Sequence, residues 1–338
     1  MAHVYLTKSD VKLGISQGQL VVKTSDGESA RKLPFCNVDS LNVFGNPQIS
    51  TQLIRECLSS NVPIAYYTED GHYCGMTSCL DHIDPQRQRR QVLLTCNDEF
   101  CLNWTKLVIQ SKINNSLELL SSVSDVYKFS EEELNGLSHS LRYVSQASTV
   151  DEALGFEGNA AKCYFQCYAK LFNGTEFRFT GRNARPPKDP INALLSYGYS
   201  FLHRSIVAAI ERHGLHPFFG FMHKIKRGHA ALASDLIEDY RASLVDKTVF
   251  ELIHSGEIKP DDFTITEYGA VYMAKPLMEK VTDLLSAITA EKSQYYQAYG
   301  DGYQYGFQTA LDKKLCTVIA AIDAADASLY QPFKWVTE

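Results

Sequence analysis

The segments GFEGNAAKCYF (155–165), RPPKDPINALLSYGY (185–199), GLHPFFGFMHK (214–224) and SDLIEDYR (234–241) decide how this chain folds. Each one places a carboxylate, an imidazole or a basic group among apolar and aromatic residues. Such residues at helical spacing predict helices that pack together on their apolar faces. We interpret the four segments as one helical unit whose charged side chains converge on a metal site.

Glu157 lies on an apolar and aromatic face if residues 153–172 form a helix. The other residues on that face are Ala161, Tyr164, Tyr168 and Leu171. A buried carboxylate without a partner is costly, so this position predicts a partner for Glu157. The alternative is an exposed glutamate in the first turn of the helix, where the helix dipole favours it.

His223 stands among glycine, proline and phenylalanine residues, where an imidazole can be a ligand or an ordinary packed side chain. Asp235 and Glu238 are three residues apart, so a helix would place both carboxylates on one face. Alternatively, Asp235 caps the helix and Glu238 completes a capping box. The pattern alone leaves both interpretations open.

Together these groups indicate a site for Mg²⁺ or Mn²⁺, since carboxylates and imidazole suit a hard divalent ion. The candidate catalytic and ligand residues are Glu157, His223 and Asp235, with Glu238 as a further carboxylate at the metal. Phosphodiester chemistry uses such an ion to lower the pKa of a bound water or hydroxyl and to neutralise charge on the phosphate.

A basic stretch accompanies the candidate ligands. Residues 178–227 contain nine Lys or Arg residues and two acidic ones, although the whole chain carries a net charge of -6. The candidate DNA-binding residues are Arg178, Arg182, Arg185, Lys188, Lys224, Lys226, Arg227 and Arg241. They would bind backbone phosphates. The alternatives are a solvated basic face and, for Arg241, a brace for Asp235 or Glu238.

The periodicity predicts an α+β fold in two domains. Residues 1–84 would form a small antiparallel β domain for dimerisation or partner binding, with a hairpin turn at Asp26-Gly27. A linker at 85–92 would lead to a larger, mainly helical catalytic domain at 93–338. In that domain, the tyrosine-rich stretch 295–305 is either a packing surface or a platform for unpaired bases.

Composition excludes several other classes of protein. The nine cysteines include no C-x2-C pair, and MAHVYLTKSD lacks the apolar core of a signal peptide, so we expect free thiols in the cytoplasm. We find no apolar run of membrane-spanning length. The sequence also lacks Walker A, G-x-S-x-G and dinucleotide motifs, which disfavours a serine hydrolase.

Four motifs resemble those of a known family when they are taken in this order. They are EGNAAKCYF (157–165), RPPKDPINALLSYGY (185–199), GLHPFFGFMH (214–223) and DLIEDYR (235–241). The chain resembles, over nearly its full length, the CRISPR-associated integrase family known as the first-numbered Cas protein, or Cas-one. Its length and pattern are similar to those of type I systems, subtype C. One departure is the segment ASLVD after Arg241, where many relatives carry a proline.

The resemblance implies an activity and partners. The family's Glu, His and acidic metal ligands would correspond to Glu157, His223 and Asp235, with Glu238 at a neighbouring acidic position. Members form homodimers, and two dimers flank a dimer of a small ferredoxin-like companion, the second-numbered Cas protein. The complex joins the 3′ hydroxyls of a short DNA fragment to a CRISPR repeat by transesterification. The alternatives are a non-catalytic DNA-binding assembly subunit, a metal-dependent nuclease without integration, and a metal-dependent RNase.

Overall fold

The computed structural model describes residues 2–6, 10–24, 29–69, 73–77, 79, 83–183, 185–290 and 306–335. The strands are β1 (Ala2–Leu6), β2 (Val11–Ser16), β3 (Gln19–Thr24), β4 (Ser29–Pro34), β5 (Val38–Phe44), β6 (Gln48–Ile49), β7 (Ile64–Tyr67), β8 (Tyr73–Thr77), β9 (Phe263–Ile265) and β10 (Val271–Met273). The helices are α1 (Thr51–Ser59), α2 (Pro85–Leu94), α3 (Asp98–Ser122), α4 (Glu131–Tyr143), α5 (Val150–Lys170), α6 (Pro190–Arg212), α7 (Ala231–Ile237), α8 (Lys247–His254), α9 (Lys275–Ala290) and α10 (Phe307–Ala324). The predicted turn at Asp26-Gly27 and the tyrosine-rich stretch 295–305 lie outside the described residues.

Two four-stranded sheets build the N-terminal domain, in the orders β1-β5-β7-β8 and β4-β3-β2-β6. The predicted α+β fold class is confirmed, but the prediction of a mostly antiparallel N-terminal domain is corrected, since three of its six described strand pairs are parallel. Strands β1 and β5, β5 and β7, and β2 and β6 pair in parallel. Parallel neighbours need a crossover, and helix α1 lies in the connection from β5 to β7. The core of this domain includes Leu13, Leu20, Leu41, Leu53 and Ile64.

The segment predicted as a linker, 85–92, forms most of helix α2. The Asp84 side chain caps the helix, and Pro85 is its first residue. The buried Gln91 Nε2 donates to the carbonyl oxygens of His216 and Phe219, each at 2.8 Å. These bonds fix α2 against the loop that follows α6, so this segment is a packed part of the helical domain.

Asp312 on α10 joins the two domains. Its carboxylate contacts Arg212, the last residue of α6, and lies 3.7 Å from His213, which follows the helix, and 3.7 Å from His3 on β1. Burial alone would raise the pKa of Asp312, but the hydrogen bond from His3 and the charge of Arg212 outweigh it and lower the pKa to about 2. The carboxylate therefore stays ionised at the domain boundary.

The helical domain packs α3, α5 and α6 around the segment 231–246. Trp104 of α3 is fully buried and stacks on Tyr330 with 4.0 Å between the ring centroids. After α7 the chain makes a 3₁₀ turn at Glu238–Tyr240 and a π-helical turn at Arg241–Asp246. Single π-helical turns inside helices often occur at functional sites, and the candidate ligands of this chain cluster around this one.

Among the described residues, no helix is both long and apolar enough to cross a membrane.

Candidate functional site

The loop between α6 and α7 carries His223 and folds back onto the start of α7. The N–H of Leu232 donates to the carbonyl oxygen of Pro217 at 3.0 Å, which closes the loop. A Cβ on Gly220 would lie 2.6 Å from the carbonyl carbon of Ala231. Because only glycine lacks this atom, Gly220 allows the close approach that positions His223.

Asp235 is the anchor of this loop. Its Oδ2 accepts hydrogen bonds from the backbone N–H groups of Phe221 at 2.7 Å and Met222 at 3.0 Å. Its Oδ1 accepts one from the N–H of His223 at 2.9 Å and one from the His223 ring nitrogen Nδ1 at 2.8 Å. The side chain of Asp235 is completely buried. Donation from Nδ1 leaves the Nε2 atom of His223 as the acceptor of the ring.

The hydrogen bonds of Asp235 favour a different role from the one predicted. A carboxylate offers about four acceptor positions, and the loop and the imidazole use four. The side chain therefore has no lone pair left for a direct bond to a metal ion in this arrangement. The capping alternative is also excluded, because α7 begins at Ala231 with Ala230 at the N-cap. Asp235 orients His223.

Glu157 and Glu238 meet at Lys112, a residue of α3. The Lys112 Nζ contacts Oε1 of Glu157 and lies 2.7 Å from Oε2 of Glu238. On its other side, Glu238 Oε1 lies 2.9 Å from Nη2 of Arg241, which confirms the brace considered for this arginine. Glu157 lies in the third turn of α5, which starts at Val150, so the first-turn alternative is excluded.

Glu238 is the more deeply buried of the two glutamates, with 4% of its side chain exposed against 24% for Glu157. Burial alone would raise the pKa of Glu238, but the charges of Arg241 and Lys112 lower it to about 2. Its Oε2 atom is buried, and the Lys112 ammonium group lies 2.7 Å from it. A buried ionised oxygen needs such a cation beside it, which a metal ion can also supply.

Another buried carboxylate, that of Asp246, helps to position Arg241 through the Tyr199 ring. Asp246 accepts hydrogen bonds from the hydroxyl groups of Tyr164, at 2.7 Å, and Tyr199. The Arg241 guanidinium lies over the Tyr199 ring, 4.5 Å from its centroid. Burial raises the pKa of Asp246 to about 6 although both hydrogen bonds lower it. This network holds the arginine that in turn holds Glu238.

The structure brings three of the eight candidate DNA-binding residues into one cleft beside His223. Arg182, Arg185 and Arg241 line this basic cleft, together with Arg204 and three histidines, and none of its described lining residues is acidic. The other five candidates do not line this cleft but are exposed: Arg178, Lys188, Lys224, Lys226 and Arg227. Lys224 lies 3.7 Å from Asp151.

Arg182 also has a local structural role that the sequence did not indicate. Its guanidinium donates to Asn192 Oδ1 at 2.8 Å and to Ser196 Oγ at 3.1 Å on the first turns of α6. Helix α6 has Asp189 as its N-cap and Pro190 as its first residue, which are positions that these residue types favour. Arg182 therefore links the loop that precedes α6 to this helix, and it also lines the basic cleft.

The donor set at the site fits a divalent ion. Two carboxylates and an imidazole whose Nε2 is free of the Asp235 bond are suitable ligands for Mg²⁺ or Mn²⁺. As the side chains stand, no three carboxylate, imidazole or thiol groups in the described ranges lie close enough together to enclose an ion. The ammonium group of Lys112 lies between Glu157 and Glu238 in this arrangement.

Sequence reasoning missed Lys112, Tyr199 and Asp246. A signal for Lys112 existed, because the helix places it on the same face as Val108 and Ser116, and both of these are buried. A lysine on a buried face needs a carboxylate partner. Asp246 carried no such signal, since its partners Tyr164 and Tyr199 come from two distant helices.

The fold and the site define a class of protein. Such a protein has a β-rich domain followed by a helical domain, and a carboxylate and imidazole site lies beside a basic cleft. The family model for "CRISPR associated protein Cas1" matches residues 4–286. The chain therefore belongs to the Cas1 family, and the resemblance seen in its motifs is confirmed.

Known relatives cover the chain almost completely. The "CRISPR-associated endonuclease Cas1" of Mycobacterium tuberculosis (strain CDC 1551 / Oshkosh) is 36% identical over 333 residues, which is 97% of this chain and 96% of the relative. The fold matches a "Partial Cas6-RT-Cas1--Cas2 complex" at a TM-score of 0.79, with 23% identity and 99% of both chains covered. It also matches a "Casposase bound to integration product" at 0.69, with 21% identity and 97% and 98% covered.

Proposed function

We propose that this chain is a metal-dependent DNA endonuclease and integrase of CRISPR adaptation, which joins the 3′ hydroxyls of short DNA fragments to a CRISPR repeat. The observation that carries the proposal is the pairing of Glu157 and Glu238 beside an oriented His223, at the edge of a basic cleft. The relative from Mycobacterium tuberculosis, named as an endonuclease, and the structural likeness to a casposase on its integration product support it.

Glu157, His223 and Glu238 would hold Mg²⁺ or Mn²⁺. When bound, such an ion lowers the pKa of the attacking hydroxyl or water and neutralises charge on the phosphate. Asp235 keeps the His223 proton on Nδ1, so the ring presents Nε2. Arg241 holds Glu238 in place from the opposite side. This division of roles moves Asp235 from the ligand set to the support of His223.

The basic cleft would hold the DNA strand. Its arginines can bind the phosphates on either side of the reacting one, because a guanidinium makes two parallel hydrogen bonds to a phosphate. Arg182 and Arg241 are anchored at Asn192 and Glu238, so they would fix the position of the strand. The exposed Lys188, Lys226 and Arg227 would add attraction without sequence preference.

The partners follow from the family and from its solved assemblies. One structural neighbour is a complex of a Cas1-containing protein with Cas2. We propose that this chain likewise works as a homodimer with DNA and with the small ferredoxin-like second-numbered Cas protein. Subtype C of a type I system stays a prediction.

Strand transfer of a labelled fragment into a supercoiled plasmid that bears a CRISPR repeat tests the proposal. With the companion protein and Mn²⁺ or Mg²⁺, the wild type is expected to join the fragment to the repeat. His223→Ala and Glu157→Ala should each reduce joining by about a hundredfold or more, since each removes one metal ligand. Binding of the fragment, measured by fluorescence anisotropy, should persist in both variants because the basic cleft is intact.

Other outcomes favour the alternatives. Joining that survives in His223→Ala would contradict the metal site. A wild type that binds DNA but does not join or cut it, with every partner present, would favour the non-catalytic assembly subunit. Cleavage of matched RNA in preference to DNA would favour the RNase.

Asp235→Asn tests the orienting role. The substitution replaces one accepting oxygen of Asp235 with an NH2 group, which would face backbone N–H donors. The free energy of unfolding in urea should therefore fall by about 1–3 kcal/mol. Affinity for Mn²⁺ should fall by about 10–100-fold, the range for residues that orient a ligand. Asp125→Asn, the same substitution at an exposed position, is the control. Unchanged stability would show that Asp235 does not hold the loop.

A further inference from the structure

Lys112 is a cation at the centre of the candidate metal site. Its Nζ contacts Glu157 and lies 2.7 Å from Glu238, and 20% of its side chain is exposed. Helix α3 supplies the lysine, α5 supplies Glu157, and the turn after α7 supplies Glu238. The ammonium group therefore joins three elements of the helical domain at the point where the two carboxylates meet.

The charges around Lys112 balance in this arrangement. Glu157 and Glu238 contribute two negative charges, and Lys112 and Arg241 contribute two positive ones. A divalent ion added to this neutral set would face the positive charge of Lys112 a few ångströms away.

Lys112 and Arg241, the two cations next to the glutamates, differ in how firmly their positions are fixed. Arg241 lies over Tyr199 and follows Glu238 on the same stretch of chain, so its position is fixed by packing. Lys112 has a flexible side chain of four methylene groups, and 20% of this side chain is exposed, against 31% for Arg241. Of the two cations, Lys112 is the one that can move aside without unfolding the segment around Glu238.

We propose that Lys112 is an internal competitor for the metal ion: its ammonium group pairs Glu157 with Glu238, and it withdraws when a divalent cation takes the same two carboxylates. The inference rests on the proposed metal-dependent function and adds a residue that sets metal affinity. Lys112 lowers the affinity for the ion, and in exchange it stabilises the two carboxylates when no ion is bound.

Calorimetric titration of Mn²⁺ into the whole protein without DNA tests this proposal. Lys112→Met should bind Mn²⁺ about tenfold more tightly or better than the wild type, because a positive charge close to the ion is removed. Lys106→Met, the same substitution six residues earlier on α3, should leave the affinity unchanged. Lys112→Arg keeps the positive charge, and its planar guanidinium offers more donors to hold the two carboxylates at once. This variant should therefore bind Mn²⁺ more weakly than the wild type.

Melting temperatures give an independent readout. In EDTA, Lys112→Met should melt below the wild type, because Glu157 and Glu238 have lost a shared cation. Mn²⁺ should then raise the melting temperature of Lys112→Met by more than that of the wild type, since the gain follows the affinity. If Lys112→Met proves too unstable to titrate, Lys112→Arg carries the test, and tighter Mn²⁺ binding by that variant would overturn the proposal.

The outcomes separate this inference from the proposed function. If the wild type binds Mn²⁺ and joins DNA, and folded Lys112→Met binds Mn²⁺ equally well or more weakly, the competitor role is wrong and the proposed function stands. If neither the wild type nor Lys112→Met binds Mn²⁺, and joining continues in EDTA, both the competitor role and the metal-dependent function are wrong.

Discussion

Glu238→Gln is expected to lower the rate of DNA joining by about a thousandfold, which corresponds to roughly 4 kcal/mol of transition-state stabilisation. The substitution keeps the shape of the side chain but removes the charge that Lys112 and Arg241 now balance. A neutral amide is a poor ligand for Mg²⁺ or Mn²⁺ and would leave the Arg241 guanidinium beside an uncharged group. The measurement is single-turnover strand transfer with saturating companion protein and DNA.

The matched control is Glu279→Gln on α9, where 61% of the side chain is exposed. It makes the same chemical change far from the candidate ligands in sequence and should leave joining unchanged. Comparison with Asp235→Asn distinguishes the two acidic residues. Full activity in Glu238→Gln, together with complete loss of Mn²⁺ binding in Asp235→Asn, would restore Asp235 as the ligand and remove Glu238 from the set.

Lys314→Met is expected to lower the free energy of unfolding by about 3–5 kcal/mol, the cost of leaving a buried charge without its partner. Lys314 is completely buried, pairs with Asp239 and donates to the carbonyl oxygen of Leu236 at 3.0 Å. Asp239 Oδ2 also accepts from the Tyr330 hydroxyl at 3.1 Å and the Phe333 N–H at 3.0 Å. Urea unfolding followed by circular dichroism measures the loss.

Lys275→Met provides the control, since Lys275 is 68% exposed and lies 3.8 Å from Glu279. A surface pair of this kind contributes about 0–1 kcal/mol. A loss below about 1 kcal/mol in Lys314→Met would contradict the buried-pair argument. Because Asp239 directly follows Glu238, we also expect Lys314→Met to reduce DNA joining, whereas Lys275→Met should not.

The helices around the site were predictable because their signals are local. The apolar face of 153–172 predicted the burial of Tyr164, Tyr168 and Leu171, and all but the last two residues of this segment lie in α5. The cap at Asp189 and the capping box at Ser130 and Glu133 also follow from neighbouring residues. In each case the interacting groups lie within a few positions of one another.

The strand pairing was less predictable. Alternation of apolar and polar residues indicates a strand but does not say which strand lies beside it. Strands β1 and β5 are neighbours in the sheet although β2, β3 and β4 lie between them in the sequence. Whether the pair is parallel depends on the path that the chain takes through these three strands. The same limit applies to the segment 85–92, whose basic and polar sequence gave no sign of the buried contacts of Gln91.

The sequence by itself determined the family and the α+β class, and it indicated the candidate site residues, because motif order and helical periodicity are properties of the chain. Only the tertiary structure decided which groups surround each of these residues. Asp235 and Glu238 look alike in sequence, but one is saturated by four hydrogen bonds from a folded-back loop, and the other faces Lys112 and Arg241. Hydrogen-bond saturation and charge balance depend on groups that are distant along the chain, and folding alone brings those groups together.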